Sequence, residues 1–68
     1  MEELLNKYGK YIDLLEYSTN WHGEKLYSCY LKGNYTFIGG SNYIINNTLN
    51  NIRAELKSLK NYYSYWEV

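Results

Sequence analysis

Cys29 and His22 are the side chains best suited to nucleophilic catalysis or metal binding, and each residue type occurs once in the chain. A catalytic cysteine needs a base held beside it in a pocket, whereas the sequence places Cys29 in a strand and His22 in a turn. A structural zinc site takes about four Cys or His ligands. We therefore predict a small core residue at Cys29, a turn residue beside Trp21 at His22, and no metal site.

The other polar groups give no stronger indication of an enzyme. Asp13 and Glu16 share a predicted helical face, and paired carboxylates can carry acid–base chemistry, but a solvated helix surface is the simpler interpretation. Gly39-Gly40-Ser41 could present backbone N–H groups to an anion, although an ordinary turn before a helix accounts for it. The chain has no phosphate-binding or dinucleotide-binding motif. We predict that the protein is not an enzyme and takes no cofactor.

Length and composition limit the remaining functions. The 68 residues form one predicted domain, 1–68, with zero net charge and 46% hydrophobic residues, which is typical of a folded chain. The absence of a basic excess argues against a protein that binds mainly phosphate backbones. No run of ~18 apolar residues occurs, so no membrane span is predicted. Nine Asn, ten Tyr and no Pro are typical of AT-rich genes of viruses, phages and low-GC bacteria. The lone cysteine and the acidic start, which lacks an apolar signal core, indicate the cytoplasm.

The first segment carries apolar residues at helical spacing, which predicts a helix over about 2–16. Gly9 lies inside this pattern and costs about 1 kcal/mol relative to Ala. A chemical group packed closely against Gly9 would explain its presence. The apolar stripe consists of Leu4, Leu5, Tyr8, Tyr11, Ile12 and Leu15.

The middle segment contains a hairpin signal at Gly33-Asn34, since this pair suits a two-residue turn. The turn predicts antiparallel strands at about 25–32 and 35–39, and a short strand at about 17–21 joins them through His22-Gly23-Glu24. Side chains alternate between the two faces of a sheet. On the strand 25–32, Tyr27, Cys29 and Leu31 are assigned to the helix-facing side, and Leu26, Ser28 and Tyr30 to the opposite side.

The last segment predicts a long helix over about 42–63, capped by Ser41 or Asn42, and an aromatic tail at 64–68. Its apolar stripe favours packing on the sheet and first helix, with a helix–helix dimer seam as the alternative. The stripe consists of Ile45, Leu49, Ile52, Leu56, Leu59 and Tyr63.

An aromatic platform is the predicted partner-binding site. Tyr30, Tyr35 and Phe37 would share the side of the hairpin that faces away from the helices. Platforms of this type bind single-stranded nucleic acid when a basic rim surrounds them, but only Lys32 and Lys25 lie nearby, so a protein contact is favoured. In a third interpretation, the aromatic tail covers the platform. The predicted partner-binding residues are Trp21, Tyr30, Lys32, Tyr35, Phe37, Tyr65 and Trp66.

The order helix, strands, helix resembles that of double-stranded-RNA-binding domains. Leu4-Leu5-Asn6-Lys7-Tyr8 is similar to the opening of that family's first helix, and Gly39-Gly40-Ser41 is similar to its Gly-Ser junction before the last helix. The family's basic cluster at the start of that helix is replaced here by the uncharged residues 42–47. The resemblance therefore implies the family's fold without its ability to bind the phosphate groups of RNA.

These observations predict an α+β fold with two layers: a helix, a β-hairpin or three-stranded antiparallel meander, and a long helix. We expect a small protein-binding module that is not an enzyme, and specifically a viral, phage or mobile-element inhibitor that docks on a host defence or nucleic-acid-processing protein. The alternatives are a nucleic-acid-binding domain of the double-stranded-RNA type and a structural homo-oligomer. A host protein is the favoured partner, a homodimer stays open, nucleic acid is less favoured, and no membrane is expected.

Overall fold

The chain forms a helix, three strands and a second helix, and the computed structural model describes residues 1–66. The three strands form one antiparallel sheet in the order β1-β2-β3. This confirms the predicted α+β class with a three-stranded meander and a long last helix. The elements are α1 (Glu2–Tyr8), β1 (Ile12–Thr19), β2 (Lys25–Leu31), β3 (Tyr43–Asn46) and α2 (Leu49–Trp66).

Helix α1 is half the length that the sequence predicts, because it ends at Tyr8. The prediction of a helix over 2–16 is therefore wrong beyond this residue. Gly9 follows the last helical residue, and the Tyr11 N–H donates a hydrogen bond of 2.9 Å to the Tyr8 carbonyl oxygen. This turn directs the chain out of the helix and into β1.

A β-bulge explains why the start of β1 imitates a helix in the sequence. Ile12 and Leu15 are both buried although they lie three positions apart. In the sheet, Ile12 faces Leu31 and Leu14 faces Tyr30, so one residue of β1 is extra at this point. A bulge inserts such a residue and shifts the alternation of side chains by one. Two inward-facing residues then fall at a spacing that is also typical of a helix.

The backbone leaves no room for a side chain at Gly9, and the neighbour is the preceding turn of α1 and not a packing partner from elsewhere in the chain. A Cβ atom at this position would lie 2.5 Å from the Leu5 carbonyl oxygen. We therefore expect Gly9→Ala to lower the free energy of unfolding by about 1–3 kcal/mol through steric overlap, although Ala is the better helix former. Urea denaturation followed by circular dichroism measures the change. A variant as stable as the wild type, or more stable, would contradict this account.

The β1–β2 hairpin ends in an ordered turn. The Asn20 side-chain oxygen accepts hydrogen bonds from the backbone N–H groups of His22 and Glu24, at 2.9 and 3.0 Å. Gly23 has a φ of 84°, a conformation that glycine adopts without strain. The predicted turn at His22-Gly23-Glu24 is confirmed. Residues 17–19 of the strand predicted at 17–21 belong to β1, which begins earlier, at Ile12, and ends at Thr19; Asn20 and Trp21 lie outside the strand.

The strand predicted at 35–39 is wrong, because β2 pairs with β3 instead. The turn at Gly33 does form: its φ is 54°, and the Tyr35 N–H donates to the Lys32 carbonyl oxygen at 3.1 Å. The chain then leaves the sheet as a loop, and Phe37 inserts into the core with 2% of its surface exposed. Because this ring is buried in the core, the segment 35–39 does not lie beside β2. Strand β3 occupies that position instead.

Helix α2 begins later and ends later than the predicted range of 42–63. Its start is capped by Thr48, whose side-chain oxygen accepts from the Asn51 N–H at 3.3 Å. The predicted caps Ser41 and Asn42 precede β3 instead, and Ile45 is a strand residue. No helix within residues 1–66 combines the length and apolar character of a membrane span.

The core lies between the two helices and one face of the sheet. We call this side of the sheet the inner face and the opposite side the outer face. The register and the alternation of side chains place eight strand residues on the outer face. They are Leu14, Glu16, Ser18, Leu26, Ser28, Tyr30, Tyr43 and Ile45. The buried cluster consists of Leu4, Tyr8, Tyr11, Ile12, Leu15, Cys29, Leu31, Phe37, Ile52, Leu56 and Leu59.

Candidate protein-binding surface

The outer face of the sheet presents apolar side chains from all three strands. Tyr30 on the central strand faces Leu14 on one side and Tyr43 on the other. The two tyrosine rings stack with their centroids 5.7 Å apart. The exposed fractions are 46% for Leu14, 36% for Tyr30, 49% for Tyr43 and 54% for Ile45. Contiguous apolar side chains at this level of exposure commonly mark an interaction site on a small protein.

Charge on the outer face is limited to a single carboxylate. Glu16 faces Ser28 on the central strand, and Ser28 in turn faces Ile45. The other seven strand residues on this face are apolar or uncharged. Phosphate binding requires cations, which the outer face of these strands lacks. The surface is therefore suited to an apolar partner with a basic group opposite Glu16.

Nothing within residues 1–66 covers the outer face. The buried residues of both helices contact the inner-face residues of the strands. The aromatic tail predicted at 64–68 continues α2 as far as Trp66, and Glu67 and Val68 lie outside the described residues. Tyr65 and Trp66 are 75% and 65% exposed, so their rings do not cover the sheet.

The predicted platform of Tyr30, Tyr35 and Phe37 does not form. Tyr30 lies on the outer face, as predicted, but the other two residues lie in the loop that follows β2. Phe37 is buried and Tyr35 is half-buried. Lys32 is exposed at the start of this loop. The platform required the hairpin at Gly33-Asn34, and pairing of β2 with β3 brings Tyr43 beside Tyr30 in place of Phe37.

Tyr35 belongs to a tyrosine cluster that anchors the loop to α2. Its ring makes edge-on contacts with Tyr11 and Tyr63, with centroid distances of 4.8 Å in both cases. The Tyr63 hydroxyl oxygen accepts a hydrogen bond of 3.0 Å from the Thr36 N–H. These side chains stabilise the fold, and they are not available as a flat contact surface.

A small cleft lies between this loop and the end of α2. Its volume is about 230 Å³, which is below the usual size of a small-molecule pocket. Tyr62, beside the cleft, is 49% exposed, and its ring makes an edge-on contact with Trp66 at 6.2 Å. The cleft is lined by Thr36, Phe37, Ile38, Gly40, Tyr62 and Tyr63.

Trp21 lies exposed at the tip of the β1–β2 hairpin. Its side chain is 88% exposed, and its ring lies on the His22 ring with the centroids 3.7 Å apart. The predicted position of His22 in a turn beside Trp21 is confirmed. The tip is joined to one end of β2, and the loop contacted by Tyr63 is joined to the other end. Trp21 is therefore remote from the aromatic end of α2, and these predicted residues do not form one site.

Cys29 is a core residue, as predicted. Its side chain is fully buried, and burial raises the pKa of the thiol to about 11. The reactive form of cysteine is the thiolate, so this environment disfavours nucleophilic chemistry. Among residues 1–66, no group of three or more Cys, His, Asp or Glu side chains is arranged to bind a metal ion.

The surface residues on the two edge strands were not predicted to lie in strands. Leu14 was predicted in the first helix, and Tyr43 and Ile45 in the last helix. Aromatic and β-branched residues are enriched in strands, so the run Tyr43-Ile44-Ile45 carried a strand signal. Ile45 lies four residues before Leu49, the first apolar residue of α2, so it also fits the helical spacing. This helical pattern concealed the strand signal.

Comparisons of the chain with protein-family models, with curated proteins and with solved structures find no match.

Proposed function

We propose that the chain is a protein-binding module, without catalytic activity, whose outer sheet face contacts the partner. The observation that carries this proposal is the row of Leu14, Tyr30 and Tyr43 across three strands, with each side chain at least 36% exposed. Protein interfaces are enriched in Tyr and depleted of charge at their centre. A regular sheet also holds these side chains in fixed positions, which lowers the entropy lost on binding.

The partner that fits this surface is a protein with an apolar patch and a basic side chain opposite Glu16. In its fuller form, the proposal is a viral, phage or mobile-element inhibitor that docks on a host defence or nucleic-acid-processing protein. The Asn- and Tyr-rich composition supports this biological setting. The proposed place of action is the cytoplasm, which is the host cytoplasm if the gene is viral.

A double-stranded-RNA-binding function is the second candidate, and the order helix, three strands, helix favours it. The resemblance is weaker in detail, since Gly39-Gly40-Ser41 precedes β3 and not the last helix. At the start of α2, the first charged residue is Arg53, which lies 3.9 Å from Glu3. Protein binding therefore remains the favoured proposal.

The test is recovery of partners from a lysate of the source cell or its host by the tagged protein and two variants. Leu14→Glu places a second carboxylate beside Glu16 on the outer face. We expect it to reduce recovery of the partner about tenfold or more, because an unpaired charge at an apolar interface is costly. Leu14 is exposed, so the variant should keep its stability within ~0.5 kcal/mol.

Trp21→Ser is the matched control, because it removes the most exposed aromatic side chain from a different surface. We expect this variant to recover the partner as the wild type does. Equal recovery by Leu14→Glu and the wild type would overturn the assignment of the outer face. Loss of recovery after nuclease treatment would replace protein binding by the nucleic-acid function.

A further inference from the structure

Strand β3 forms an open edge of the sheet, and the β2–β3 hydrogen bonds show which of its backbone groups point to that edge. The Leu31 N–H donates to the Asn42 carbonyl oxygen at 2.8 Å, which extends the β2–β3 ladder by one residue pair. Hydrogen-bonded and non-bonded pairs alternate along an antiparallel ladder. Asn42, Ile44 and Asn46 therefore direct their N–H and C=O groups towards β2. Tyr43 and Ile45 direct theirs away from it, to the open edge, where no backbone group of residues 1–66 bonds to them.

The sequence at this edge is nearly the same in both directions. Residues 42–46 read Asn-Tyr-Ile-Ile-Asn, so an antiparallel copy centred on Ile44 matches like with like. Tyr43 would face Ile45 of the second copy, Ile44 would face its own equivalent, and Asn42 would face Asn46. Aromatic and β-branched residues facing each other across two strands stabilise the pairing.

The direction of the backbone groups is compatible with this register. Tyr43 and Ile45 both present free N–H and C=O groups, so each Tyr43–Ile45 pair exchanges two hydrogen bonds across the seam. A shift by one residue would bring Tyr43 opposite Asn46, whose backbone groups are already bonded to β2. The same shift would place the outer face of one copy on the side of the inner face of the other. Registers of the wrong parity are therefore excluded.

Charge distinguishes this edge from the opposite edge of the sheet. Strand β3 carries no charged residue, so a second copy brings no like charges together. Strand β1 carries Asp13 and Glu16, with a bulge at its start, and two copies of β1 would bring four carboxylates into one seam. Inward or edge charges and bulges are the usual devices that prevent edge pairing. Assembly would therefore stop at two copies.

We propose that the partner of the β3 edge is a second copy of this chain, and that two sheets join there into one six-stranded antiparallel sheet with a two-fold axis through Ile44. This symmetry places both outer faces on the same side. The apolar surface assigned to protein binding would then be continuous across the seam. The inference goes beyond the proposed function and does not depend on it.

The experiment measures molar mass by light scattering across a concentration series, for the wild type and two charge variants. Tyr43→Lys/Ile45→Lys places lysine opposite lysine at both facing pairs, and Tyr43→Glu/Ile45→Glu does the same with glutamate. Both residues are about half exposed, and circular dichroism checks the fold. We expect twice the monomer mass for the wild type, monomers for each variant alone, and a dimer from their equimolar mixture.

Leu14→Glu is the control, since it changes the outer face on β1, at the edge of the sheet opposite β3, and should leave the dimer intact. The proposal is overturned by a wild type that stays monomeric at the highest concentration, or by charge variants that remain dimeric. It is also overturned if the mixture stays monomeric although both variants are folded. A monomeric wild type whose charge variants lose a captured partner that Leu14→Glu retains would assign the edge to a strand of another protein. Loss of partner recovery in Leu14→Glu with the dimer intact would leave both proposals standing.

Discussion

Leu56→Ala is expected to leave the protein largely unfolded at physiological temperature. Leu56 lies in the centre of α2 with none of its surface exposed, among the buried residues of both helices and the sheet. Removal of a fully buried leucine side chain costs about 2–5 kcal/mol, depending on how far the cavity collapses. A domain below about 70 residues rarely has more than ~3–5 kcal/mol of stability. The substitution therefore removes most of the available free energy of unfolding.

Thermal and urea denaturation followed by circular dichroism measure this loss. Leu5→Ala is the matched control, since it makes the same chemical change on α1 at a side chain that is 41% exposed. Its cost should stay below about 1 kcal/mol. If Leu56→Ala were no more destabilising than Leu5→Ala, the assignment of the α2 stripe to the core would be wrong.

The sequence predicts correctly those parts of the fold in which the side chains follow one spacing, helical or strand, without interruption. The α2 stripe from Leu49 to Tyr63 repeats at spacings of three and four over four turns, and its central residues are buried as expected. Side chains of a strand point alternately to its two faces, so Cys29 and Leu31 were assigned to the core and Tyr30 to the opposite side, which the structure confirms.

The errors arise where local pattern and long-range pairing conflict. The bulge in β1 gives Ile12 and Leu15 a helical spacing, so the first helix was extended by mistake. The segments 35–39 and 43–46 are both short and rich in aromatic and β-branched residues, and either could pair with β2. The choice depends on burial of Phe37 in the assembled core, which is a property of the whole fold.

The same errors affect the prediction of the candidate surface, because each of its three strands had to be predicted separately. Its central strand was correctly oriented, so Tyr30 was identified as an outward-facing residue. Leu14 and Tyr43, which complete the row, belong to the two segments that were assigned to helices. A surface that is built across three strands cannot be derived from sequence unless all three are paired correctly.

Cys29 is expected to react with thiol reagents about a hundredfold or more slowly in the folded protein than in the unfolded chain at mildly alkaline pH. Burial raises the pKa of its thiol from 9.0 to about 11. At a pH below the pKa, each unit by which the pKa rises reduces the thiolate fraction about tenfold. The side chain has no exposed surface, so a reagent also requires local opening. Reaction with an aromatic disulfide, followed by absorbance with and without denaturant, measures the ratio.

Ser58→Cys in a Cys29→Ala background is the matched control, because it provides one thiol on the exposed side of α2. This thiol should react at similar rates in the folded and unfolded chain. If Cys29 reacted as fast as this control, the thiol would be accessible, and the arguments against nucleophilic chemistry at this position would fail.

The same pKa shift makes stability depend on pH in a defined direction. Well below pH 9.0 the thiol is almost fully protonated in both states, so it contributes little pH dependence. Between pH 9.0 and about 11 the unfolded chain loses the proton and the folded chain retains it. The unfolded state then binds fewer protons, so the free energy of unfolding falls by about 1.4 kcal/mol per pH unit. Tyrosines and lysines also titrate in this range, so the diagnostic quantity is the difference between the wild type and Cys29→Ala. The free energy of unfolding of the wild type, relative to that of Cys29→Ala, should fall as the pH rises. A constant difference between the two proteins would show that the thiol titrates equally in the folded and unfolded states.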